Sequence, residues 1–333
     1  MQHKMSNMSN KQSIIAFSYQ LLRVILRYKL AAVLVVYSFV MIFDLKFPFP
    51  TLTEMNTNYG DFAPAKIFQL TLGVAKADYK LTIGLVELLA AALLLFRRTA
   101  ALGALMAAGI ILNVVLADFA YNTGDQYFSL YLMMVSLFLL AHNIPEMYRL
   151  TLEKPAVPNM TKLELTRTWQ IKARPILKGI FILLLLTTGT VAYLEKKQFP
   201  QRSHGLPDAA GLYDVAEFKL NGKPIPYSRT NPHRWQNVVF ENWSALSIQQ
   251  YNPAVNGRIS YSFRIDSTSE MLYVQKTPTT RANIEMTLTY SRPDTSTIIL
   301  SGRTSSSDSI YAVLKKLNKK YLLIQGRRKP IEL

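Results

Sequence analysis

Apolar residues in this chain come in blocks. Residues 30–43, 81–96, 99–120, 127–141 and 176–194 are nearly free of charge, whereas 195–333 mixes polar and apolar positions like a soluble domain. A membrane-spanning helix needs about 20 mostly apolar residues, and the blocks approach that length. The first block, "RYKLAAVLVVYSFVMIFDLKF", follows "SIIAFSYQLLRVILRYK", whose apolar and basic residues recur at helical spacing. That spacing fits an amphipathic helix on the membrane surface or an inward extension of the first span. The second block runs from Tyr79 to Phe96 and the third from Thr99 to Phe119, separated only by Arg97 and Arg98. Two helices joined so tightly must form an antiparallel hairpin, with the arginines as its turn. The fourth runs from Tyr127 to Ala141, and the fifth, "ILKGIFILLLLTTGTVAYL", is apolar on all sides and reads as an anchor.

The intervening segments complete the organisation. The loop after the first span contains Pro48, Pro50, Pro64 and a "YGD" turn, and residues 63–73 within it have helical apolar spacing. From residue 195 onward the pattern shortens to strands: "LYDVAEFKLNGKPIPY" around an Asn221-Gly222 hairpin, "RWQNVVFE", "ISYSFRI", "EMLYVQK", "NIEMTLTY", "TSTIILSG" and "KYLLIQGR". "SSDSIYAVLKKLN" fits a short capped helix. The fold class that follows is an α-helical membrane bundle with a fifth anchor helix, then a mostly β domain, a small sandwich or barrel. The boundaries fall at 1–27 (interfacial segment), 28–145 (four-helix bundle), 146–175 (cytoplasmic connector), 176–194 (fifth span) and 195–333 (β domain).

Charge fixes the orientation this reading expects. The 333 residues carry a net +17, but only 18% are charged, against about 25% in soluble domains. The bases gather beside the apolar blocks, at Arg23, Arg27 and Lys29, at Arg97 and Arg98, and from Arg149 to Lys178. This is the positive-inside pattern. It places the N-terminus in the cytoplasm and, after five crossings, the β domain outside the inner membrane of a bacterium. No recognition motif accompanies the charge, so nucleic acid is not an expected partner. The absence of cysteine excludes disulfides and thiolate chemistry, and the four histidines show no metal-ligand spacing. No cleavable signal peptide is expected from the N-terminal pattern.

One carboxylate, Glu87, lies within the apolar run "GLVELLAAALLLFRRTA". An acidic residue at mid-span costs about 2.5–3.5 kcal/mol on insertion scales, so its side chain should turn inward. Counted at 1.5 Å per residue, Glu87 stands about 15 Å above the arginine turn. Tyr37 stands about 13 Å above the Tyr28–Lys29 boundary, Tyr131 about 17 Å above His142, and Asn113 about 22 Å above Arg98. Those four are the pocket candidates, with Asp118, Asn122, Asp125 and Lys46 near the outer mouth. Asp44, Glu54, Asp61, Lys66 and Lys80 read as a solvated rim beside Lys46. Three readings stay open: polar groups that satisfy a buried acid, a site for a small ligand, quinone headgroup or proton, or a carboxylate reaching a watery mouth. Trp235 and Trp243 fit the β-domain core better than a ligand site.

The stretches "VVYSFVMIFDLKFPFP", "YGDFAP", "GLVELLAAALLLFRRTAALGALMAAGIILNVV" and "FSLYLMMVSLFLLAHNI" resemble the DoxX-like membrane protein family over residues 28–145. The most specific element is Gly84-x-x-Glu87 followed by a leucine run, an arginine turn and an Ala/Gly-rich helix. The resemblance implies a four-helix membrane bundle and, from relatives that are subunits of thiosulfate:quinone oxidoreductases, an accessory role in a quinone-linked redox or envelope complex. No independent catalytic activity is implied, and quinone is the one cofactor class suggested. The fifth span and the β domain depart from the plain family. They support a second reading, a non-enzymatic assembly protein whose exported domain engages a membrane or periplasmic partner. A small-molecule transporter is a third, without the inverted repeat such folds show.

Overall fold

In the computed structural model the described residues are 2–151, 179–184, 187, 189–191, 204–251, 258–266, 269–276 and 284–328. Most of the cytoplasmic connector expected at 146–175 lies outside them. Two compact units emerge: Met1–Pro48 with Pro64–Lys197, and Phe49–Ala63 with Gln198–Leu333. The second unit therefore takes in a piece of the loop that follows the first apolar block.

The first unit is helical. Helix α1 (Gln2–Ile42) is continuous through Tyr28 and Lys29, so the amphipathic stretch is an extension of the first apolar block and not a separate helix. In the second unit lies α2 (Leu52–Met55); the helical unit resumes with α3 (Pro64–Val74) and α4 (Ala77–Leu95). Arg97 and Arg98 are exposed in the turn that follows, which Thr99 closes by donating its hydroxyl to the Leu93 carbonyl at 2.9 Å. Helix α5 (Ala100–Tyr121) ends at Asn122, whose left-handed φ of 50° stops the helix. Helix α6 (Gln126–Thr151) runs well past His142. An apolar helix α7 (Gly179–Val191) follows.

Helix α1 packs on α4, α4 on α5, α5 on α6, and α6 returns to α1. Leu30, Leu34, Leu94, Ala107, Ile111 and Leu132 are fully or almost fully buried in the shared core. Helix α7 lies on α1, where Phe181 packs edge-on against Tyr28 at 5.2 Å. Ile15–Ile42 and α5 are long and apolar enough to cross a membrane; Gln126–His142 and Gly179–Val191 are apolar but shorter. Helix α4 carries Lys80 and Glu87, yet both point inward, leaving Leu81, Leu85, Val86 and Leu89 on its exposed face.

The second unit is an antiparallel barrel, the closed alternative of the two expected β architectures. Its strands are β1 (Gly211–Leu220), β2 (Lys223–Pro224), β3 (Trp235–Phe240), β4 (Ala245–Gln250), β5 (Arg258–Asp266), β6 (Met271–Lys276), β7 (Ile284–Ser291), β8 (Thr297–Thr304) and β9 (Ser309–Lys316). Each of β3 to β8 pairs with the next, β1 pairs with β3, and β9 returns to β1 from Tyr213↔Lys316 to Leu220↔Ile310. Eight strands thus close, leaving among them no unpaired edge between β1 and β9. Strand β2 only extends the β1 hairpin, whose turn is Asn221-Gly222 with φ of 52° and 75°. Alternate residues fill the interior, Tyr213, Phe218, Trp235, Phe240, Leu272 and Leu288 among them. Trp235 is in this core as expected, 5.5 Å from the Phe218 ring.

Two segments exchange their expected structures. "SSDSIYAVLKKLN" contributes β9 and not a helix, with Ile310, Ala312 and Leu314 pointing inward at a period of two. "KYLLIQGR" is not a strand but the start of helix α8 (Leu322–Arg328). Strand β4 also escapes the sequence pattern: "ALSIQQ" is short, and its Ser247 is polar yet wholly buried.

Candidate functional site

Glycine places the buried acid. A Cβ on Gly84 would lie 2.6 Å from the Ile42 side chain and 2.9 Å from the Ser38 carbonyl. Its absence lets α4 approach α1 closely. One turn further along the same face, Glu87 is carried into the contact and is 3% exposed. Its Oε2 is buried and makes no hydrogen bond among the described residues; the same holds for Ser38 Oγ on α1 and Asp118 Oδ2 on α5. The hydroxyl of half-buried Tyr37 lies within electrostatic reach of the Asp118, Asp125 and Glu87 carboxylates. Tyr37 is thus the group that feels these carboxylates, and the buried Glu87 and Asp118 oxygens keep hydrogen-bonding capacity among the described residues.

The outer-mouth candidates gather beside it. Asp118 accepts from the Thr123 hydroxyl at 2.5 Å through its other oxygen. Asn122 accepts from the Gln126 amide at 2.6 Å. Lys46 and Asp125 form an ion pair at 3.2 Å in which both side chains are more than half exposed.

Tyr131 and Asn113 are elsewhere. The Tyr131 hydroxyl accepts from Lys29 Nζ at 3.1 Å, and the ammonium lies 4.7 Å from the ring centroid. His142 does not mark the end of the element: α6 continues to Thr151, and His142 Nδ1 meets the Tyr19 hydroxyl at 3.0 Å, several helical turns before Lys29 on α1. Asn113 is exposed on the outer face of α5. Residue count sets its height along the helix, but packing sets its direction around it.

Lys80 lies inside the helical unit. It is 3% exposed, not part of a solvated rim. Its ammonium donates to Asp44 at 2.7 Å and to the Phe47 carbonyl at 3.1 Å, so it ties the end of α1 to the start of α4. The lone lysine signal gave no hint, because its partners include backbone carbonyls.

The barrel unit holds its own polar cluster. Thr51 caps α2 in a reciprocal capping box with Glu54. The Glu241 carboxylate, 4% exposed, accepts from the Leu52 and Thr53 N–H groups at 3.1 and 2.7 Å. Thr53 and Ser247 pair through their hydroxyls at 3.1 Å, which explains the buried serine on β4. Asn56 donates to the Tyr321 hydroxyl at 2.8 Å and accepts from Lys319 at 2.8 Å and, through its carbonyl, from Arg258 Nε at 3.1 Å. Arg258 also donates to Asn237; burial pulls its pKa down to about 10, so it remains charged at neutral pH.

No family model matches the chain. A 62-residue stretch is 50% identical to the uncharacterized protein YwoB of Bacillus subtilis (strain 168), covering 19% of this chain and 40% of that protein. The chain thus matches about two fifths of that relative's length. A crystal structure of a DUF4847 family protein from Bacteroides vulgatus aligns over 34% of this chain and 97% of its own, at 14% identity and a TM-score of 0.23.

Proposed function

We propose that this chain is a DoxX-like integral protein of a bacterial inner membrane, its N-terminus inside and its barrel outside. In this reading it is an accessory or subunit of a quinone-linked redox or envelope complex. The ligand is a lipid-soluble molecule whose polar head hydrogen-bonds Glu87, with Tyr37, Ser38 and Asp118 beside it. The observation that carries this is the Oε2 of Glu87, 3% exposed between α4 and α1 and without a hydrogen bond among the described residues. An ionisable group inside the membrane is costly, and one with unused hydrogen-bonding capacity suits a ligand or a proton better than a purely structural role.

Chain parity supports the topology. Residues 49–63 fold onto the barrel, so both lie on one side of any membrane the chain crosses. The crossings between Ala63 and His204 must then be even in number. Helices α4, α5, α6 and α7 supply four, whereas α5 alone would supply one and separate the segment from its own unit. The apolar exposed face of α4 removes the objection that this helix carries charges.

A short-chain ubiquinone or menaquinone analogue added to the detergent-solubilised protein should raise its Tm, because a ligand bound only by the folded state stabilises it. Glu87→Gln should fold and insert normally yet lose most of that rise. An equal rise in both proteins, or none in the wild type, would overturn the assignment.

A second reading has its own observation. The barrel interior is filled by its own side chains, and polar groups on or just after β3, β4 and β5 hold this chain's own segment at Leu52–Asn56. This favours a binding module over an enzyme for that domain. Here Glu87→Gln leaves function intact while substitutions on the barrel surface abolish partner capture.

A further inference from the structure

The end of the barrel at which β1 begins and β9 finishes is crossed by residues 204–210, whose Leu206 and Ala209 are buried in the core. Three successive carbonyls of this crossing are held by three side chains. Pro207 accepts from the Arg292 guanidinium, Asp208 from Lys316 Nζ at 3.0 Å, and Ala209 from the Tyr213 hydroxyl at 2.9 Å. Lys316 continues the inward period of Ile310, Ala312 and Leu314 on β9, and its ammonium lies 5.8 Å from the Tyr213 ring centroid. Gly211 makes room for its stem: a Cβ there would lie 2.9 Å from Lys316 Cε. Beside these residues opens a cavity of about 470 Å³, lined by the crossing, Asn242 and Lys316.

Two half-buried cations thus meet at the cavity, and the groups that hold them are neutral carbonyls. An ammonium or a guanidinium has several N–H donors, and the carbonyls engage one of each. Burial first, and then the Arg292 guanidinium, hold the Lys316 ammonium below the usual lysine range, and the attraction of Asp208 does not cancel them. Asp294, in the turn after Arg292, is engaged by Ser296 instead, at 2.7 and 2.6 Å. We propose that this cavity binds a small organic oxyanion, its phosphate or carboxylate group on Lys316 and Arg292 and its body against Leu206 and Ala210. Charge decides the class: two cations and the exposed Asn242 amide stand against one exposed carboxylate, that of Asp208. Hydrogen bonds from such cations to an oxyanion are about twice as strong as neutral ones. The volume falls within the range of about 300–1,000 Å³ usual for small-molecule sites, which leaves room for an organic body. The site belongs to the barrel unit alone and depends neither on Glu87 nor on the membrane reading.

The purified full-length protein should broaden the phosphorus NMR resonance of inorganic phosphate or the proton resonance of acetate, titrated at constant ionic strength. Lys316→Gln and Arg292→Gln should each weaken that binding about tenfold or more, the weight of one hydrogen bond to a charged group. Lys315→Gln, at an exposed position of the same strand, should leave it unchanged. Because both cations also hold the crossing, a gain of binding is the sharper test. Asp208→Asn keeps the carbonyl and suits the left-handed φ of 53°. It removes the opposing charge, and should tighten binding about two- to fivefold, the weight of one exposed charge pair. Stronger binding of phosphate assigns the site to phosphate esters and stronger binding of acetate to carboxylates; either sustains it. No broadening of either resonance by the wild type, an equal loss in Lys315→Gln, or unchanged binding in Asp208→Asn overturns it.

Discussion

Single side chains, and in one place a missing one, set the geometry of the helical unit. At Gly84 a methyl group would press on the Ile42 side chain and on the Ser38 carbonyl, and the backbone oxygen cannot move aside without shifting α1. Gly84→Ala should therefore destabilise the protein by about 1–3 kcal/mol, the usual cost of overpacking. A thermal melt reads this, and an unchanged Tm would mean that α4 does not touch α1 there. Lys80 makes a complementary case. Lys80→Met removes the donor to Asp44 and to the Phe47 carbonyl, and the partners left unsatisfied should cost about 1–3 kcal/mol. Asp44 is partly exposed, which keeps the loss below that of a fully buried pair. If Lys80→Met melted like the wild type, the ammonium would have to be solvated and not structural.

At the scale of elements, short apolar runs gave the ambiguous readings. In "SSDSIYAVLKKLN" the positions Ile310, Ala312 and Leu314 satisfy a strand period, while Ile310 and Leu314 also satisfy a helical one. Barrel closure decides between them: without β9, strands β8 and β1 would each present an unpaired edge. Ala312 then faces the interior and is fully buried. Ala312→Asp should place an unpaired carboxylate there and expose the barrel to proteolysis of the full-length protein, whereas Lys315→Asp on the exposed side should not. Equal protease sensitivity in the two variants would argue against β9. Long, strongly patterned elements were far more legible. The arginine turn, the α4–α5 hairpin and the Asn221-Gly222 hairpin all follow from local sequence, because each is fixed by residues within a few positions of one another.

Across the whole molecule, the unforeseen feature is that residues 49–63 belong to the barrel unit. Its anchor is the buried Glu241 carboxylate on the Leu52 and Thr53 N–H groups. Glu241→Ala should lose a helix-capping acceptor worth about 0.5–2 kcal/mol. Cleavage after Glu54 by a glutamate-specific protease should then accelerate about two- to thirtyfold. An unchanged rate would mean that the remaining Asn56, Thr53 and Arg258 contacts hold the segment alone. This dependence also changes what a soluble version of the barrel must contain: residues 49–63 as well as the C-terminal part.

The sequence by itself determined the division into apolar helices and a β domain, the position of the arginine turn, and the inward pull on Glu87. These are consequences of local hydrophobicity, charge and turn chemistry, which act over one element at a time. Tertiary structure alone decided that α1 is continuous and that Tyr131 pairs with Lys29. It also decided that Asn113 faces outward and that an early loop completes a late domain. Those outcomes depend on rotation about helix axes and on contacts between residues nearly two hundred positions apart, such as the 188 between Thr53 and Glu241. Depth along a helix can be counted from residues, but the direction in which a side chain points is fixed only by what packs against it.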